Sequence, residues 1–155
     1  MGAHLQDGRF VTKTGGSQVL ATTNLWAILI AAIAAWLFGS VWYMALAKPW
    51  MSALGKSKAE LMGPSGKPSP IPFIVSFLAE IIMAVVLSGI IWHAGPVTVA
   101  SGLSTAFIAW FGFVLTTMAV NHGFGGARPM LTVIDAGHWL GVMLIQGAII
   151  GAFGR

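Results

Sequence analysis

Few side chains in this chain are equipped for chemistry. Its 155 residues include four acidic, eight basic and four histidine side chains, and no cysteine. Disulfides, thiolate metal sites, thiol nucleophiles and iron–sulfur ligation are therefore excluded. Three ionisable groups, Glu80, Asp135 and His138, fall inside long apolar stretches. Asp135 and His138 are three residues apart, which places them on one helix face a turn from each other. A carboxylate beside an imidazole can form an ion pair or relay protons near neutral pH. With a second carboxylate it could also hold a metal ion, but no HxxxH or ExxH spacing supports that. No metal or cofactor is expected. Hydrolysis is disfavoured, because no nucleophile elbow is present and Ser40 would sit in a dry environment. Gly55-Lys56-Ser57 has the ending of a phosphate-binding loop, yet Trp50 stands where the first glycine is required and no strand precedes it. The chain is not expected to be an enzyme.

The elements that must position these groups follow from composition. Hydrophobic residues make up 57% of the chain and charged residues 8%, with a mean hydropathy of +0.85. Ordinary soluble domains carry roughly 25% charged residues, so a membrane protein is indicated. A spanning helix takes about 20 mostly apolar residues, and the stretches 25–47, 71–92, 97–120 and 129–153 qualify. Period-2 alternation is absent, against a barrel. The fold class expected is an all-α, integral membrane bundle of four transmembrane helices. The net charge of +4 comes from few acids rather than many bases, and no basic cluster with interleaved aromatics points to nucleic acid.

Spans that meet in lipid must associate through small residues and polar contacts. Ala27, Ala31, Ala35 and Gly39 recur at spacing four in the first span, and Ser76, Glu80, Ala84 and Ser88 in the second. Gly102, Thr105, Ala109, Gly112 and Thr116 form a stripe in the third. The last span has glycine pairs at 137/141 and 147/151, with Arg128, Asp135, His138 and Gln146 projecting on the other side. It should therefore be buried on both faces. Glu80 and His138 each lie nine residues into spans that enter from one side, about 14 Å deep. The expectation is one buried polar layer of Glu80, Asp135 and His138, joined by Ser40, Thr116 and Thr117. Glu80 would be protonated or paired there, with His138 its natural partner. The layer could fix helix register through hydrogen bonds, or bind a proton or ion.

Lys48, Lys56, Lys58, Lys67 and Arg128 fall on one side of the bundle, against Arg9, Lys13 and Arg155 on the other. The positive-inside rule puts loops 48–70 and 121–128 in the cytoplasm and both termini outside. The first loop holds a short amphipathic segment: Pro49 suits a first helical turn, Gly55 ends that turn, and Ser57-x-x-Glu60 is a capping box opening another. Trp42, Tyr43 and Trp50 are candidate interfacial anchors. The glycine-rich run 121–127 leading to Arg128 is a candidate anion or lipid-headgroup site. His93 and His122 are expected to be solvated. Residues 1–23 form a polar tail unlike a cleavable signal peptide.

Gly39-Ser40-Val41-Trp42-Tyr43, Lys48-Pro49-Trp50-Met51, Gly55, Arg128-Pro129, Asp135-Ala136-Gly137-His138 and Gly147-Ala148-Ile149-Ile150-Gly151 together resemble the bacterial family catalogued as domain of unknown function seventeen sixty-one. The likeness runs from Asn24 to the end. It implies a small four-helix inner-membrane protein with no assigned activity, and marks Trp42, Tyr43, Trp50, Arg128, Asp135 and His138 as residues to test. Two functions are consistent with these features. One is a structural or accessory membrane component, in a homo-oligomer or with other membrane subunits and lipid. The other is a proton- or ion-coupled solute carrier using Glu80, Asp135 and His138. Helices 1–2 and 3–4 show no internal repeat of the kind carriers use.

Overall fold

A computed structural model describes Leu5–Gln6, Arg9–Phe10 and residues 24–63 and 66–154. In the tail, β1 (Leu5–Gln6) and β2 (Arg9–Phe10) pair antiparallel, with Leu5 opposite Phe10. The rest of residues 1–23 lies outside the described residues. All other regular structure among the described residues is helical: α1 (Leu25–Ala45), α2 (Ala47–Leu54), α3 (Lys58–Met62), α4 (Ile71–Ala94), α5 (Val99–Ala109), a π-helical segment (Trp110–Leu115), α6 (Thr116–Phe124) and α7 (Pro129–Phe153). Four helical stretches are long and apolar enough to span a membrane: α1, α4, the continuous run Val99–Phe124, and α7. The protein is a multipass, four-span α-helical membrane protein.

Local chemistry sets the ends of these elements. Asn24 Oδ1 accepts from the amides of Trp26 and Ala27 at 3.1 and 3.2 Å, opening α1. Pro49 has no amide hydrogen for the Ala45 carbonyl, and its ring crowds that carbonyl. The helix bends there, at Leu46 (φ −101°, ψ 17°), and resumes as α2. Gly55 closes α2 with φ 72°, a left-handed conformation that glycine adopts without steric cost. The capping box at α3 is formed: the Ser57 hydroxyl and amide donate to Glu60 Oε2 at 2.6 and 2.7 Å. Those two bonds, with Lys56 adding attraction, hold the Glu60 carboxyl below the usual carboxylate range.

The last span is the centre of the bundle. It packs against α1, α2, α4 and the third span. Ten of its residues are buried, from Leu131 to Gly151, whereas Gly102 and Ala106 are the buried residues described in the third span. The glycines explain how neighbours approach so closely. A Cβ on Gly147 would lie 2.4 Å from the Gly102 carbonyl oxygen, and one on Gly151 would lie 2.2 Å from that of Thr98. Gly137 and Gly141 instead face Trp42 and Phe38 of α1. The glycine pairs therefore serve two different neighbours, rather than one face opposite the polar residues. Both sides of α7 are buried, as expected.

The small-residue stripe expected in the third span holds only in part. Gly102 is buried, while Gly112 and Thr116 are exposed and Ala106 takes the inward position instead. The reason is the π-helical segment. Its i→i+5 bonds lengthen the turn, so an i+3/i+4 stripe drifts off the packed face.

Gly147→Ala is expected to force α7 and α5 apart and destabilise the bundle by about 1–3 kcal/mol. Gly112→Ala, whose Cβ meets nothing within 4 Å, is expected to change stability by no more than about 0.5 kcal/mol. Detergent-induced unfolding midpoints of the two variants test this, and equal losses would refute the packing role given to Gly147.

Candidate functional site

Asp135 is the most heavily engaged polar side chain of α7. Its Oδ1 accepts from the Tyr43 hydroxyl at 2.9 Å and from Trp50 Nε1 at 3.2 Å. The two donor rings meet edge to face, with centroids 5.5 Å apart. One residue earlier on α1, Trp42 Nε1 donates to the Ile134 carbonyl at 3.2 Å. All three aromatic residues expected as headgroup anchors thus turn inward and fasten the α1–α2 unit to α7. The bend at Pro49 makes this possible, because α1 supplies Tyr43 and α2 supplies Trp50. Aromatic N–H and O–H groups that enter a packed region need an acceptor, and Asp135 meets that need. From the third span, Trp110 Nε1 likewise donates to the Ala136 carbonyl, at 2.9 Å.

His138 sits one turn along, among rings. Phe38 lies parallel to it at 6.2 Å, and the Tyr43 and Trp139 rings lie at 4.8 and 5.0 Å. It is 6% exposed, and its Nδ1 has no hydrogen-bond partner. The imidazole has room because residue 39 is glycine: a Cβ there would lie 2.7 Å from Nε2.

Glu80 does not join this group. It is 2% exposed, its backbone carbonyl accepts from Gln146 Nε2 at 2.9 Å, and its Oε2 has no partner. Gln146 lies eight residues beyond His138, about 12 Å along the helix. The expected single polar layer is therefore two levels: Tyr43, Trp50, Asp135 and His138 at one, Glu80 and Gln146 at the other. Equal depth had assumed that the second and last spans start in one plane. The Gln146–Glu80 bond shows instead that they are staggered along their axes. Ser40 and Thr116 do not join either level, since each hydroxyl donates to a carbonyl of its own helical run, Trp36 and Gly112. Among the described residues, no three His, Asp or Glu side chains are grouped to hold a metal ion.

The candidate anion site is also differently built. The helix runs through Phe124, and the amides of Gly125, Gly126 and Ala127 donate to the carbonyls of Asn121, Gly123 and His122. Those three amides are thereby engaged within the turn itself. Arg128 Nη1 donates to the Ser52 carbonyl near the C-terminal end of α2, where a cation is favoured by the exposed carbonyls. His122 Nδ1 lies 2.9 Å from Thr132 Oγ1, a bond between the last two spans, and His93 Nδ1 lies 2.7 Å from the Gly89 carbonyl. The hollow beside His93 is lined by residues of α4 alone, so it encloses nothing.

A double-mutant cycle on Tyr43→Phe and Asp135→Ala is expected to give a coupling of about 0.6 kcal/mol, and no more than about 1.7 kcal/mol, as for other interhelical hydrogen bonds in membranes. Unfolding midpoints in mixed micelles measure it, and additive losses would show that the two residues act independently.

Comparison with known proteins agrees with this architecture in extent. Residues 26–151 match the family model described as Protein of unknown function (DUF1761). No curated protein and no solved structure matches the chain. The matched region runs from the first turn of α1 to the close-packed Gly151 of α7, and so takes in all four spans, the Asp135 clamp and the Glu80–Gln146 contact. The chain belongs to the DUF1761 family.

Proposed function

We propose that this protein is a structural or accessory component of a membrane assembly, working as a homo-oligomer or beside other membrane subunits. The observation that carries this reading is how the polar side chains facing α7 are spent. Asp135, Trp42, Trp50, Trp110 and Gln146 all make interhelical bonds, which hold helices in register. A carrier built on Glu80, Asp135 and His138 lacks support, because those groups occupy two levels and Asp135 already accepts two bonds. The outer face of the third span, with Phe107, Ile108, Phe111 and Phe113 exposed, is available to lipid or to a neighbouring helix.

The family resemblance supports a bacterial inner membrane as the location. The five basic residues of loops 48–70 and 121–128 support a cytoplasmic side for those loops, with both termini outside. Since the chain has no cysteine, single-cysteine variants report sidedness cleanly. Pro96→Cys is expected to react with a membrane-impermeant maleimide in intact cells, and Lys58→Cys only after lysis. The reverse pattern would invert the orientation.

Native mass spectrometry of protein gently extracted from its own membrane tests the functional reading. A stable homo-oligomer, or a mass that includes other subunits, is expected. A monomer carrying only lipid under every mild extraction would overturn it.

A further inference from the structure

The Glu80–Gln146 contact holds two polar oxygens that the fold leaves unanswered. Glu80 Oε2 and Gln146 Oε1 are both buried and both lack a hydrogen-bond partner. They belong to side chains that are 2% and 0% exposed, so bulk water does not answer them. Both belong to one helix contact, in which Gln146 Nε2 donates to the Glu80 backbone carbonyl. Two unanswered acceptors at one level of a dry interior each call for a donor.

Among the described residues, no side chain donates to either oxygen. The four spans contain no lysine or arginine. The buried residues of α1 are Ala27, Ile28, Ala31, Ala32, Ala35 and Gly39, and the third span presents Gly102 and Ala106. Besides Glu80, the buried residues of α4 are Ala84, Leu87 and Ile91. On α7 the titratable groups are His138 and Asp135, two turns or more away, with Tyr43 of α1 at their level. His93, the other titratable group of α4, is exposed and engaged with the Gly89 carbonyl.

We propose that Glu80 and Gln146 form an intramembrane binding site for a single proton. The proton resides on the Glu80 carboxyl, and Gln146 Oε1 accepts its hydrogen bond. This arrangement answers both oxygens at once and leaves no net charge in the bundle. An ionised Glu80 would instead leave an uncompensated carboxylate in the dry interior. Gln146 is then the residue that defines the site: its Nε2 positions it on the Glu80 backbone, and its oxygen accepts the hydrogen bond from the protonated carboxyl.

Infrared spectroscopy of the protein in lipid bilayers tests this directly. At neutral pH the full chain is expected to show the C=O stretch of a protonated carboxylic acid. Glu80→Gln is expected to abolish that band. Gln146→Leu is expected to keep it but move it to higher frequency, because the acid loses its acceptor. Absence of the band in the unaltered protein, or a band indifferent to both substitutions, overturns the proposal. If Glu80→Gln does not fold, Gln146→Leu decides alone, and an unshifted band in that variant is enough to reject the site.

Discussion

The last span and the third meet backbone to backbone where Gly147 packs on Gly102, and much of the remaining structure follows from it. In lipid, apolar side chains gain little by leaving one hydrocarbon environment for another, so helices associate where their backbones can meet. Glycine on both sides removes the Cβ atoms that would keep α5 and α7 apart. Gly151 repeats the arrangement against Thr98, where the third span begins with its own capping box. Once α7 is fixed this way, its other face is free to meet α1 through Gly137 and Gly141, and the helix ends up enclosed.

An enclosed helix can carry polar groups that a lipid-facing one could not. Asp135 tolerates its position because α1 and α2 bring Tyr43 and Trp50 to it, and Gln146 because the Glu80 carbonyl is available. These bonds add direction to packing that small residues alone would leave free to slide. His138 is the exception. It is held by ring contacts and by the missing side chain of Gly39, with no partner for Nδ1. The polar groups of α7 are thus fastened by different means at different levels.

Much of this could be read from residue types. Span number, the buried character of the last span, the Gly55 stop and the Ser57–Glu60 capping box follow from local rules that act over a few residues. The Glu80 level could not be read so, because depth counted from a helix start depends on where neighbouring helices begin, and that stagger is set by tertiary packing. The inward turn of Trp42, Tyr43 and Trp50 was hidden for a related reason. An aromatic residue beside Lys48 suits a headgroup region and an interior acceptor equally well, and the choice depends on an aspartate 85 residues further along the chain than Trp50. One signal was available: Asp135 needs donors, and no lysine or arginine within the spans supplies them. Indole and phenol groups were the remaining candidates.

The π-helical segment Trp110–Leu115 separates the third span into two halves that meet α7 in different phase. Before it, Gly102 and Ala106 are buried against α7; within and after it, Phe113 and Thr116 are exposed. A π turn is equivalent to one residue too many in an α-helix, so the two halves are rotated relative to each other by about 100°, the angle that one residue subtends. The second half of this span still meets α7 through the His122–Thr132 contact, but turns Thr116, Thr117 and Val120 outward. Its outward surface was freed by a change of phase rather than by a change of composition, and a family member lacking that single extra residue would present a different side of the same helix to the membrane.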